Sequence, residues 1–341
     1  MPENDDIMTT CANPECRVAE TEKCVEGFDL SECPHYGKPP EIEDEDVSGE
    51  EEKPQSSNIR LPGADRLIPA EASRLLRAGK ARVIAIIGPA DSGKTSLIAS
   101  LYELFQEGTV SGTEYARSLT LHGFERTCHD ARTASRRVEP DTNRTPLGEV
   151  RFFHLQLRGG VAGEGLALVL GDRAGEEYRS AADDASIATE FAEIKRADSI
   201  SVLVDGERLL DSGARHNVRS EITMMLRAVV DEGAVQNGQR LSLILTKFDL
   251  IQASDQRPRA EKDFFDLLNK IQALFGIAFS EIKPFKTAAL PKTDSVPRGT
   301  GVPELLAFWM EPARPAPTLP RDKPASDRAF ARLTPLDEEN D

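Results

Sequence analysis

The run Gly88-Pro-Ala-Asp-Ser-Gly93-Lys94-Thr95 brings together the residue types that holding a polyphosphate requires. It matches G-x-x-x-x-G-K-[ST], and each fixed position has a physical reason. Glycines at 88 and 93 let the backbone turn its N–H groups inward and approach phosphate oxygens closely. Lys94 supplies a point charge for the β and γ oxygens, and the Thr95 hydroxyl is a hard donor suited to Mg²⁺. Asp91 and Ser92 complete the loop, and Ser96 follows Thr95 into the next element. Such a loop needs a strand leading in and a helix leading out, whose N-terminus adds its positive dipole end. Residues 82–87 (RVIAII) and 94–105 have those compositions.

Two further segments extend the chemistry. Gly171-Asp172-Arg173-Ala174-Gly175-Glu176 contains D-x-x-G directly after an apolar run. An aspartate there accepts from a Mg²⁺-bound water near Thr95, and Gly175 lets its N–H face a γ-phosphate. That contact would couple the following segment to nucleotide state. Thr246-Lys247-Phe248-Asp249 is a variant of [NT]-K-x-D. A carboxylate at Asp249 accepts from both the ring N–H and the exocyclic amine of guanine, a donor pair that adenine lacks. The Lys247 stem can cover the base face. Threonine stands at 246 where asparagine is commoner, which leaves the bracing of the loop open.

These loops need elements to position them. Apolar runs at 82–87, 150–157, 166–170, 199–204, 241–245 and 282–285 read as strands, and those that run continuously apolar suit a sheet covered on both faces. Helical patterns at 69–78, 94–105, 181–196, 214–233, 258–275 and 302–310 lie among them. The alternation predicts an α/β fold with a mostly parallel sheet. The connection RGGVAGEG (158–165) is too short for a helical crossover, so the two strands that it joins are antiparallel.

The ordered set GPADSGKT, DRAG, TKFD and KTAAL resembles the Ras-like branch of translation-factor-related P-loop GTPases over residues 80–311. Within that branch, PDTNRT, DRAGEEY and the Cys-bearing head resemble a prokaryotic double-GTPase domain protein. The resemblance implies GTP or GDP with Mg²⁺, hydrolysis to GDP and phosphate, and a protein partner, with a second GTPase-like subunit as the candidate. By the same resemblance Ala288 and Ala289 occupy the segment whose backbone amide meets guanine O6, although no lysine follows them. A threonine before the second strand would hold Mg²⁺ and touch the γ-phosphate. Thr142 and Thr145 both qualify, and Thr145 is favoured.

Two departures from the pattern bear on rate. Glu176 stands where a water-orienting glutamine is expected, and its charge near the γ-phosphate is repulsive. Intrinsic hydrolysis is therefore expected to be slow, with Lys94, Thr145 and Glu176 as the catalytic set. Residues 108–148 are longer than a minimal domain needs and hold Arg126, Arg132, Arg136, Arg137 and Arg144. These arginines read as a solvated or partner-facing surface, with transition-state stabilisation from within the chain as the other reading. Two rival functions stay open: a nucleotide-binding scaffold that hydrolyses nothing, and an ATP-dependent protein in which TKFD is incidental.

Charge and cysteines organise the remainder. The 341 residues hold 42 Lys+Arg and 58 Asp+Glu, a net charge of −16. Residues 1–53 carry 17 acidic and 4 basic side chains, a net of −13, which leaves −3 for the other 288. A general nucleic-acid-binding surface is not suggested. No run is apolar enough to span a membrane and the acidic start is not an export signal, so a cytoplasmic protein is expected. Cys11, Cys16, Cys24 and Cys33 fall in one short stretch with His35, a ligand set for tetrahedral zinc; an iron–sulfur cluster and unliganded thiols are the alternatives. Four segments follow: a zinc module at 1–38, an acidic disordered linker at 39–60, a P-loop GTPase domain at 61–311 and a Pro-rich disordered tail at 312–341.

Overall fold

A computed structural model describes Val18 and residues 29–37, 64–131, 148, 150–292 and 296–312. The chain divides into two units, Met1–Ile59 and Arg60–Asp341. In the first, residues 29–37 form a turn in which the Asp29 carboxylate accepts from the Ser31 N–H at 3.2 Å and the Ser31 hydroxyl at 2.9 Å.

The second unit is built on a seven-stranded sheet: β1 Ala81–Ile87, β2 Glu114–Arg117, β3 Arg151–Arg158, β4 Leu166–Asp172, β5 Ser199–Asp205, β6 Arg240–Thr246 and β7 Glu281–Lys286. Their spatial order is β2-β3-β4-β1-β5-β6-β7. β4, β1, β5, β6 and β7 run parallel, whereas β3 is antiparallel to both β2 and β4. The β3–β4 connection closes through a 3-10 turn, Gly160–Ala162, flanked by Gly159 and Gly163. Gly159, Gly160 and Gly163 have φ of 77°, 50° and 59°, a region that other residues enter at a cost. The mixed, mostly parallel sheet agrees with the sequence expectation.

Helices cover both faces. Ile84 and Ile86 of β1 face α2 (Lys94–Glu107) and α10 (Val302–Met310), packing with Leu97, Leu101, Leu305 and Trp309. Ala85 and Ile87 face the other way, toward α4 (Gly175–Asp183), α7 (Arg215–Asp231) and α9 (Arg257–Phe275). Each wholly buried isoleucine contributes about 1.5–3 kcal/mol by leaving water. Removing either face of β1 would therefore release the strand that carries Gly88. α1 (Pro69–Ala78) covers the antiparallel end through a smaller cluster of Leu67, Val83, Phe152 and Val169. Pro69 opens α1, and the Glu71 carboxylate accepts the Ile68 N–H at 3.0 Å.

The structure departs from the sequence expectation in two places. The helix expected at 181–196 is three pieces: α4, a 3-10 turn at Ala185–Glu190 and α5 (Ala192–Arg196). Asp184 causes the first break, because its carboxylate accepts from Ser186 N and ends the helical ladder. The long segment after α2 also holds elements that the apolar pattern did not reveal, β2 and α3 (Leu121–Ala131). β2 is mostly exposed and lacks an apolar face to announce it. Cys128, in α3, is buried in the core with its Sγ 3.7 Å from Ala99 O, a packing role. No described helix is long and apolar enough to cross a membrane.

Candidate functional site

Parallel strands end at one edge of the sheet, and the phosphate, D-x-x-G, TKFD and KTAAL loops all leave from that edge. Gly88 follows β1, Asp172 ends β4, Thr246 ends β6, and Thr287 follows β7. A cleft of about 210 Å³ opens between these loops. From the expected set it is lined by Asp91, Gly93, Lys94, Thr95, Ser96, Gly175, Glu176, Thr246, Lys247, Asp249 and Ala289. Segments up to two hundred residues apart in sequence are thus brought to one place by strand order alone. A larger cleft, about 640 Å³, lies under α1 at the opposite edge, and none of the phosphate, magnesium or base motifs contributes to its lining.

The phosphate loop is held in a left-handed kink, with φ of 60° at Asp91 and 95° at Gly93. Gly88 has no space for a side chain, since a Cβ would lie 2.7 Å from the Ser92 Oγ and 3.1 Å from the Leu203 Cβ. Ser92 is buried and donates its hydroxyl to Pro89 O at 2.8 Å, so it shapes the loop from beneath. Lys94 is buried, and its Nζ donates to Gly88 O and Pro89 O, both at 2.9 Å. An ammonium has three donors, which leaves one for a phosphate oxygen. Burial pushes the Lys94 pKa below its ordinary value, against the opposing pull of the Asp172, Glu176 and Asp91 carboxylates.

Thr246 resolves the question that its identity raised. Its hydroxyl donates to Ser92 O at 2.8 Å, with Val204 O at 3.2 Å, so threonine does brace the phosphate loop from β6. Lys247 adopts φ of 51° and holds its ammonium between Asp205 at 2.9 Å and Glu207 at 2.8 Å. Burial disfavours that charge, but the two carboxylates outweigh it and raise the Lys247 pKa. Asp249 lies in the first turn of α8 (Phe248–Gln252), is 2% exposed, and accepts the Lys292 N–H on Oδ2 at 2.8 Å. The carboxylate is thereby fixed in the cleft wall.

Several residues were not anticipated. Arg173 lines the cleft, yet its guanidinium is turned into a buried ion pair with Glu193 at 2.7 and 3.1 Å and also meets Glu177. Burial opposes the Arg173 charge, but Glu193 more than compensates and raises its pKa. Asp205 caps α6 (Gly206–Leu210) by accepting from Glu207 N at 2.9 Å while it pairs with Lys247. An acidic residue ending an apolar strand at this edge was a readable signal. Lys292 also lines the cleft and had no motif to mark it.

Other expected residues stand elsewhere. Ala288 is buried and spends its N–H on Thr300 O at 3.0 Å, so of the pair only Ala289 faces the cleft. Thr142 and Thr145 lie outside the described residues, as do Cys11, Cys16 and Cys24, while Cys33 is half-buried. Among the described residues no group of three or more His, Cys, Asp and Glu side chains is arranged around a metal position. For Mg²⁺ the chemistry of the donors does fit: a hydroxyl at Thr95 and a buried carboxylate at Asp172 are hard oxygen ligands beside the phosphate loop.

Comparison with known proteins bears on this geometry. The family model for Double-GTPase 2 matches residues 82–310. No curated protein matches the chain. Among solved structures, one similar chain comes from the signal recognition particle receptor SRb-GTP/SRX complex of Chaetomium thermophilum. It is 13% identical, with 68% of this chain and 98% of that chain covered and a TM-score of 0.39.

Proposed function

The chain belongs to the Double-GTPase 2 family, a P-loop GTPase domain, and from that premise we propose that it is a slow nucleotide-operated switch. It binds GTP, hydrolyses it to GDP and phosphate, and presents the difference to a protein partner. The observation that carries this reading is the single cleft lined by the phosphate loop, Gly175, Asp249 and Ala289 together.

Each residue has a task in it. The amides of the loop from Gly88 to Thr95, the α2 N-terminus and Lys94 neutralise the phosphates. Thr95 and Asp172 would hold Mg²⁺, with Thr145 completing the set, and the ion would supply positive charge against the phosphates. Asp249 reads the guanine N–H pair, and the Lys247 stem, pinned by Asp205 and Glu207, covers the base. Glu176 stands in the first turn of α4 beside the phosphate end of the cleft, where its charge opposes attack on a γ-phosphate.

The full chain is expected to release phosphate in multiple turnover on the order of 10⁻³ s⁻¹ or slower, as unassisted relatives of small GTPases do. A rate near one per second without a partner would refute the slow-switch reading. The buried pairing of Arg173 with Glu193, next to Glu176, favours a second reading in which nothing is hydrolysed. Single-turnover hydrolysis of γ-labelled GTP separates the two.

The motif order supports the translation-factor-related branch, and the partner we propose is a second GTPase-like subunit in the cytoplasm. We further assign zinc to Cys11, Cys16, Cys24 and Cys33, joined by the 39–60 linker to the GTPase domain, which the 312–341 tail follows. Elemental analysis of the purified chain is expected to find about one zinc per molecule. Metal-free protein whose thiols alkylate freely would remove that assignment.

A further inference from the structure

Ahead of α1, residues 64–68 cross the antiparallel end of the sheet as a strap. Leu67 exchanges both backbone hydrogen bonds with Phe152 of β3, at 2.8 and 2.9 Å. Ala64 O accepts the Gly123 N–H of α3 at 3.1 Å, and Asp65 receives Arg126 at 3.0 and 3.2 Å. Gly123 permits this approach, since a Cβ there would lie 3.2 Å from both the backbone N and the Cγ of Arg66. The strap is therefore fixed by contacts that make no use of the Arg66 guanidinium.

That guanidinium reaches Asp172, 106 residues further on, with Nη1 3.3 Å from Oδ2. The Asp172 side chain is fully buried and that of Arg66 is 19% exposed. A phenyl ring, Phe153, lies 5.9 Å from the guanidinium carbon. We propose that Arg66 is a further residue of the nucleotide site, which competes with Mg²⁺ for the Asp172 carboxylate and so sets the ion concentration at which nucleotide binds tightly.

The proposal rests on the P-loop nucleotide reading above and adds a residue that none of its motifs contains. A buried carboxylate needs a positive partner. Guanidinium and Mg²⁺ both qualify, but against one carboxylate in a poorly screened site they repel each other. The anchored backbone delivers the guanidinium to the carboxylate at little further ordering cost, and the long stem lets it withdraw when the ion arrives.

The test follows thermal unfolding of the full chain with GDP across a Mg²⁺ titration that starts in EDTA. Arg66→Gln keeps most of the length and a donor but removes the charge. It is expected to lower the Mg²⁺ midpoint for GDP-dependent stabilisation by about 5- to 50-fold, within the range of ordinary coupling between linked sites. Arg66→Gln should also lose more stability in EDTA than in saturating Mg²⁺ and GDP. Arg66→Lys, which retains the charge, should keep a midpoint near that of the unaltered chain. An unchanged midpoint in Arg66→Gln, or equal destabilisation in both conditions, would leave Arg66 a structural residue and overturn the proposal alone. If GDP stabilises none of the three proteins at any Mg²⁺ concentration, the nucleotide reading falls and this inference falls with it.

Discussion

Asp249→Asn is expected to weaken GTP binding by roughly 100-fold and to raise the affinity for xanthosine triphosphate relative to GTP by at least that factor. The carboxylate is held by the Lys292 N–H on Oδ2 and is 2% exposed, so it is neither mobile nor screened by water. An asparagine would leave its oxygen on Lys292 and turn an NH₂ toward the two N–H groups of guanine. Two hydrogen bonds to a charged acceptor are lost and a donor faces a donor, which costs about 3 kcal/mol or more. At about 1.4 kcal/mol per decade that is the predicted factor. Xanthine carries a carbonyl where guanine carries its amine, and so accepts from the new NH₂. Calorimetric titration with GTP, ATP and xanthosine triphosphate reads all three preferences. An order of affinities unmoved by the substitution would remove the guanine assignment and return the ATP-dependent reading.

Gly175→Ala should be the most disruptive single-methyl change in the cleft. A Cβ at 175 would run into the Ala90 amide nitrogen and would lie 2.6 Å from the Pro89 carbonyl carbon and 2.8 Å from the Ala90 Cα. These are backbone atoms of the phosphate loop, which Thr246 pins through Ser92, so neither side can give way cheaply. Overpacking of this kind costs about 1–3 kcal/mol. In a domain of this size that lowers the melting temperature by about 2–12 °C. The nucleotide effect should be selective. Moving Gly175 off the loop removes the N–H proposed to meet the γ-phosphate, so a non-hydrolysable GTP analogue should lose affinity about tenfold more than GDP. Equal losses for the two nucleotides would mean that Gly175 does not sense the γ-phosphate.

Much of the site was legible because its chemistry is local in sequence. Gly88 through Thr95 must turn within eight residues, and a loop that short can be recognised from its glycines, its lysine and the apolar run ahead of it. The central strands were legible because β4, β5 and β6 are buried on both faces and so are largely apolar, with Ser201 and Ser242 buried as a hydrogen-bonded pair between β5 and β6. The short link between β3 and β4 fixed their antiparallel pairing, since no crossover fits into it. β2 escaped notice for the converse reason: an exposed edge strand is under no pressure to be apolar. The 181–196 stretch kept a helical period while Asp184 broke its backbone ladder, and periodicity alone does not register a side chain bonding to Ser186.

Residue identity alone determined which groups could bind phosphate, magnesium or guanine, because that depends on charge, hydroxyls and glycine flexibility. Only the tertiary structure decided which of them meet. Thr246 braces the phosphate loop because β6 ends beside Ser92, and Ala288 stands outside the cleft with its N–H drawn to Thr300. Arg173 is withdrawn by Glu193, and Arg66 is delivered to Asp172 by a strap bonded to β3 and α3. Hydrogen bonds and ion pairs act over a few ångströms in space and are indifferent to separation along the chain. Their partners are therefore set by strand order and by what each buried charge finds within reach.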